Sequence, residues 1–104
     1  MVKVELLYFD GCPGYAELRP RLEHLLAQQG LLDELHLVPV PTLEQAQERR
    51  FLGSPTLRVN GRDVEPAVEG RSDYGMKCRL YSTSAGSAHA PSDELIVAAL
   101  ERST

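Results

Sequence analysis

The stretch Tyr8-Phe9-Asp10-Gly11-Cys12-Pro13-Gly14-Tyr15 lies where an apolar run stops and a helical pattern starts. It predicts that Cys12 stands at the N-terminus of a helix, with Pro13 in the first turn, where a missing N–H is harmless. The free N–H groups and the positive end of the helix dipole favour the thiolate, which is the nucleophile in thiol chemistry. Cys12 is therefore the first candidate catalytic residue.

Composition limits the class of protein. The 104 residues are 42% hydrophobic and 25% charged, which suits one globular domain over residues 1–104. The net charge of -4 argues against a nucleic-acid or anionic-membrane partner. No apolar stretch approaches transmembrane length, and charges interrupt the first apolar run, so it is not a signal-peptide core. We expect a cytoplasmic protein, and its two cysteines are too few for a disulfide scaffold.

Strand and helix patterns alternate along the chain. Strands are predicted over 2–9, 34–40, 56–60 and 77–82, and helices over 13–29, 42–50 and 92–100. Residues 62–76 are polar and contain proline and glycine, so we expect an irregular excursion there. The order β-α-β-α-β-β-α predicts an α/β fold with a mixed four-stranded sheet. The apolar first strand is expected at its centre, and Pro39 implies that the second strand either lies at an edge or ends early.

Local signals mark several boundaries. Thr42 and Ser92 are predicted N-caps of the second and third helices. Asn60-Gly61 predicts a tight turn after the third strand. Pro20 lies inside the first helix and is expected to kink it.

Three features together resemble the thioredoxin superfamily: Cys12 opening the first helix, Pro20 within it, and Ser54-Pro55-Thr56 opening the third strand. The sequence around Cys12 and Pro55 is similar to the sequences of small bacterial thioredoxin-like proteins, and the similarity is best over residues 1–61. The resemblance implies a three-layer sandwich, a cis Ser54–Pro55 bond, and Pro55 lying against the active-site cysteine. It also implies that Ser54, Pro55 and Thr56 bind substrate, with Pro55 presenting a backbone edge.

The chain departs from that family at the second active-site position. Tyr15 stands where a dithiol thioredoxin has its second cysteine, and a phenol cannot resolve a mixed disulfide. Tyr15 could instead line the substrate site, donate a hydrogen bond to Cys12, or simply pack in the core. Asp10 is a candidate modulator, because its charge opposes the thiolate.

Cys78 is the other thiol of the sequence. Cys78 and Leu80 share one face of the predicted strand 77–82, while Arg79 would lie on a solvated face. We therefore expect Cys78 to be more buried and less reactive than Cys12. Alternatively, the excursion at 62–76 returns Cys78 to the site, where it would supply the missing second thiol.

The leading functional hypothesis is thiol–disulfide exchange or glutathione-linked reduction through Cys12. The substrate would be a thiol or disulfide, of a protein or of glutathione, and no bound cofactor is needed. Two alternatives remain open. One is soft-metal binding or sensing through Cys12 and Cys78; the other is a non-catalytic binding module. The histidines show no metal-ligand spacing, so no metal site is predicted from them.

Overall fold

The computed structural model describes residues 2–103. The elements in this range are, in chain order, β1 (Val4–Tyr8), α1 (Pro13–Gln28), β2 (Leu35–Pro39), α2 (Leu43–Glu48), β3 (Thr56–Val59), β4 (Arg62–Asp63), β5 (Tyr81–Thr83), β6 (Gly86–Ala88) and α3 (Asp93–Arg102). Short 3-10 turns lie at Leu32–Glu34 and Pro66–Val68. No helix in this range is both long and apolar enough to cross a membrane.

The main sheet is mixed and has the strand order β2-β1-β3-β4. Its central strand β1 pairs parallel with β2 and antiparallel with β3, and β4 continues antiparallel to β3. The predicted central position of the first strand and edge position of the second are thus confirmed. Because β1 and β3 are antiparallel, the end of β1 and the start of β3 meet at one edge of the sheet.

Helices cover both faces of this sheet. Neighbouring side chains of β1 point to opposite faces, so Leu6 and Leu7 enter different cores. Helices α1 and α3 pack on the Leu6 face, through buried residues Leu18, Leu22, Leu26, Ile96, Ala99 and Leu100. Helix α2 contributes Ala46 to the smaller core on the Leu7 face. The fold is therefore α/β, with a four-stranded mixed sheet between helices.

The local boundary signals are confirmed where they rest on short-range bonds. The Thr42 hydroxyl accepts from the Gln45 N–H at 3.1 Å, and the Ser92 hydroxyl accepts from the Leu95 N–H at 3.2 Å. Asn60 and Gly61 adopt positive φ angles of 52° and 80° in the turn between β3 and β4. Helix α1 continues through Pro20 to Gln28.

The predicted fourth strand over 77–82 is wrong. The tight turn at Asn60 and Gly61 brings Arg62–Asp63 directly beside β3, so this short pair completes the sheet from within the expected excursion. The later segment instead makes an isolated parallel bridge, in which Cys78 lies opposite Ser54. Strand β5 then pairs with β6 in a separate two-stranded hairpin.

Candidate active site at the start of α1

Cys12 is the N-cap residue of α1, as its sequence context predicts. Its backbone is extended, with φ -78° and ψ 116°, and its carbonyl accepts from the Ala16 N–H at 3.2 Å. The Cys12 Sγ–H donates to the Ser54 carbonyl at 3.5 Å, and the residue is only 3% exposed. The thiol is thus a buried hydrogen-bond donor.

Pro55 follows the expected cis peptide bond and packs against the first turn of α1. The contact is made at Gly14, where an added Cβ would lie 2.9 Å from Pro55 Cδ and would collide with the His89 carbonyl oxygen. The Pro55 carbonyl accepts from the Tyr81 hydroxyl at 2.6 Å. Sequence reasoning overlooked Gly14, although a glycine in a first helical turn is itself a signal of close packing.

The backbone of Ser54 is already paired within the chain. Its N–H donates to the Lys77 carbonyl at 2.9 Å, and its carbonyl accepts from the Arg79 N–H at 3.0 Å. The Ser54 hydroxyl accepts from the Phe9 N–H at 3.3 Å. The backbone N–H and C=O groups of Ser54, the residue before Pro55, are therefore both bonded to residues 77–79.

The expected order of burial of the two cysteines is reversed. Cys78 is exposed, whereas Cys12 is buried. Buried and exposed side chains alternate over 78–81 in the opposite order to the predicted one. Arg79 and Tyr81 are 2% and 0% exposed, whereas Leu80 is 56% exposed. Cys78 is thus a surface thiol beside the site and not a core residue.

Carboxylates from β4 and the residues after it explain why Arg79 turns inward. Its guanidinium donates to both oxygens of Asp63, at 2.6 and 2.8 Å, and to Glu65 at 3.1 Å. It also lies 4.2 Å from the centre of the Tyr81 ring. Burial opposes the charged form, but the bonds to the carboxylates outweigh it and raise the pKa of Arg79 above its ordinary value. The solvated position expected for Arg79 is therefore wrong.

Tyr15 contacts other side chains of α1 and β1. Its ring stacks on Tyr8, with centroids 3.9 Å apart and planes 5° from parallel. Its hydroxyl accepts from Arg19 at 3.0 Å. Burial raises the pKa of Tyr8, and the neighbouring Tyr15 adds to the effect. Of the three roles considered for Tyr15, these contacts favour packing.

The remaining predicted site residues lie on either side of the thiol. Thr56 is buried; its hydroxyl donates to the Gly53 carbonyl at 2.6 Å and accepts from Arg79 at 3.3 Å. Asp10 is exposed and borders a pocket of about 310 Å³ with Phe9, Pro41 and Met76. Thr56 therefore supports the backbone before β3, whereas Asp10 faces solvent.

A groove of about 640 Å³ runs between the start of α1 and the β5–β6 hairpin. Its walls are mainly apolar and include Pro13 and Gly14, which directly follow Cys12. On one side Arg21 bonds to Glu17 at 3.2 Å and to Asp93 at 2.5 Å. The groove places an apolar surface next to the helical turn that carries the thiol.

Within residues 2–103 no cluster of three or more histidine, cysteine or acidic side chains is arranged to hold a metal ion. Comparison with protein-family models, curated proteins and solved structures finds no match to this chain.

Proposed function

We propose that this protein is a thioredoxin-like thiol protein that performs thiol–disulfide exchange or glutathione-linked reduction through Cys12. The observation that carries the proposal is the position of the Cys12 thiol. It caps α1 and lies 3.5 Å from the Ser54 carbonyl, next to the cis bond to Pro55. A thiol at this position is near the positive end of the helix dipole, and its hydrogen bond to the Ser54 carbonyl fixes the sulfur in place.

The topology supports the thioredoxin-like assignment. The order β2-β1-β3-β4, with α1 and α3 on one face and α2 on the other, agrees with the sandwich that the sequence resemblance implies. The antiparallel pairing of β1 with β3 sets Leu7 opposite Thr56. This register brings Cys12, after β1, to the same sheet edge as Pro55, before β3.

The chemistry requires only sulfur and proton transfer. The Cys12 thiolate would attack one sulfur of a substrate disulfide, release the other as a thiolate and leave a mixed disulfide on Cys12. A second thiol then attacks Cys12 Sγ and frees the bound half of the substrate. In the glutathione-linked route, glutathione supplies this second thiol. The helix end stabilises the Cys12 thiolate each time it forms.

Reduction of a small alkyl disulfide, with glutathione as reductant, tests the proposal. We expect Cys12→Ser to lose most of the wild-type rate, because a hydroxyl can neither attack a disulfide nor resolve a mixed disulfide. Ser72→Ala, at an exposed position outside the groove, is the control and should keep the wild-type rate. A Cys12→Ser protein that is folded and as active as the wild type would contradict the proposal.

Soft-metal binding is the second candidate, because Ser54 contacts Cys12 Sγ and pairs with the segment containing Cys78. Two thiolates near each other suit soft cations. Titration of the reduced protein with Ag⁺ distinguishes the two. Stoichiometric binding that is lost in Cys12→Ser and in Cys78→Ser, together with no disulfide reduction, would favour metal binding. An inert Cys12 without metal binding would favour a binding module that uses the groove.

A further inference from the structure

One carbonyl oxygen, that of Ser54, contacts Cys12 and the residue that follows Cys78. The Ser54 carbonyl accepts from Cys12 Sγ at 3.5 Å and from the Arg79 N–H at 3.0 Å. The distance between Cys12 Sγ and the Arg79 nitrogen therefore cannot exceed the sum of these two contact distances. Cys78 directly precedes Arg79 and lies opposite Ser54 in the bridge. The Cys12 sulfur and the backbone on either side of Cys78 therefore both contact the peptide groups of Ser54.

The direction of the side chains strengthens this relation. Residues that oppose each other in a β-bridge carry their side chains on the same face. The Ser54 hydroxyl reaches the Phe9 N–H, at the end of the strand that leads into Cys12. Cys78 therefore shares a face with the Ser54 hydroxyl, which contacts the backbone three residues before Cys12.

The two thiols differ in access to solvent. Cys12 is 3% exposed, and its thiol is engaged by the Ser54 carbonyl. Cys78 is exposed. The bonds to Ser54 use the carbonyl of Lys77 and the N–H of Arg79, so the backbone groups of Cys78 itself face away from Ser54. A disulfide substrate can therefore approach Cys78 without displacing the bridge.

We propose that Cys78 is the thiol that first meets a disulfide substrate and that Cys12 is the thiol that resolves the product. This inference rests on the proposed thiol–disulfide exchange and keeps Cys12 as a reacting thiol, but it makes Cys78, and not Cys12, the thiol that attacks the substrate first. The Cys78 thiolate attacks the substrate, forms a mixed disulfide and releases the first substrate thiolate. Cys12 then loses its proton to solvent and attacks Cys78 Sγ, which releases the second substrate thiolate and forms a Cys12–Cys78 disulfide.

The electrons balance across these steps. The substrate disulfide gains two electrons and becomes two thiols, and the two cysteines lose two electrons and become one disulfide. An external thiol of the glutathione class returns the protein to its reduced form by the reverse exchange. The helix N-terminus at Cys12 stabilises the thiolate that forms during resolution.

Trapping with glutathione disulfide tests the assignment. Each reduced protein is mixed with an excess of this probe and followed by intact-mass and peptide mass spectrometry. Wild type should lose two hydrogens, keep no adduct and yield a linked pair of peptides containing Cys12 and Cys78. Cys12→Ser should accumulate a stable glutathione adduct on Cys78. Cys78→Ser should react slowly, because Cys12 is covered.

The double variant Cys78→Ser, Ser82→Cys is the matched control. It keeps two thiols and moves the exposed one four residues along the same segment, away from Ser54. It should form a persistent glutathione adduct at position 82 with no internal link. An internal link in this control would overturn the assignment, because it would not depend on the Ser54 bridge.

The remaining outcomes separate this inference from the proposed function. Rapid adduct formation on Cys12 in Cys78→Ser would overturn the order of attack and leave exchange through Cys12 standing. Persistent adducts on wild type would overturn the internal disulfide and also leave the one-thiol route standing. A wild type in which neither cysteine reacts would overturn both.

Discussion

Packing around Cys12 depends on the absence of a side chain at Gly14. A Cβ there would lie 2.9 Å from Pro55 Cδ and would collide with the His89 carbonyl, which is backbone and cannot rotate away. We expect Gly14→Ala to lower the free energy of unfolding by about 1–3 kcal/mol, the usual cost of overpacking. Urea denaturation measures the change.

Gly70→Ala is the control for this substitution. A Cβ at Gly70 meets nothing within 4 Å. Replacing glycine at an unstrained site leaves stability unchanged or raises it by about 0.4–1 kcal/mol. Equal losses in the two variants would mean that the contact between α1 and Pro55 is not tightly packed.

Arg79 is the buried charge that holds the segment after Cys78 in place. Arg79→Met would leave the Asp63 and Glu65 carboxylates facing an apolar chain, and removal of one partner of a buried ion pair typically costs about 3–5 kcal/mol. We expect a loss of that order in the free energy of unfolding. Arg71→Met, which breaks an exposed pair with Asp73, should change it little. Similar small effects in both would contradict the buried network.

At the scale of elements, α3 relies on its N-cap. Ser92 is the side chain that accepts from the Leu95 N–H, and the helix supplies three buried residues to the larger core. Ser92→Ala should therefore destabilise the protein by about 1 kcal/mol. Thermal unfolding followed by circular dichroism measures it, with Ser84→Ala as the uncapped control. No difference between these two serines would show that the cap contributes nothing.

Elements whose boundaries rest on local bonds could be predicted from the sequence. Cys12 as a helix start, Thr42 as a cap and the turn at Asn60 each depend on residues within four positions. The segment after residue 76 could not be predicted in the same way. Which of its side chains are buried depends on Asp63 and Glu65, which contact Arg79 because β4 lies beside β3.

At the scale of the whole molecule, the site combines three distant segments around Ser54. The first two, at Cys12 and Pro55, could be paired in advance by the resemblance to a known family. The third could not, because a single β-bridge between Ser54 and Cys78 leaves no periodic pattern in the sequence. The apolar residues flanking Arg79 suggested a buried Cys78, and only the acidic pair at Asp63 and Glu65 pointed the other way.

Alkaline unfolding reports on the same region. Burial raises the pKa of Tyr81 far above the ordinary tyrosine value of about 10. Above that pH the unfolded chain releases the phenolic proton and the folded chain keeps it, so stability falls as pH rises. Tyr81→Phe should be less stable near neutrality by about 1 kcal/mol, because the bond to the Pro55 carbonyl is lost. Its stability should then decline less above pH 10 than that of wild type, as measured by urea denaturation across pH. Parallel curves would contradict the assigned burial of this hydroxyl.

The stoichiometry of a single exchange tests the central claim, that Cys12 and Cys78 act together around Ser54. Fully reduced protein is mixed with one equivalent of a small disulfide, with no other reductant, and the released small thiol is counted. We predict two small thiols for each protein chain oxidised, with no adduct left on the protein. One small thiol for each chain, with the other half still attached, would show that the cysteines do not form a pair. No released thiol at all would contradict exchange at this site.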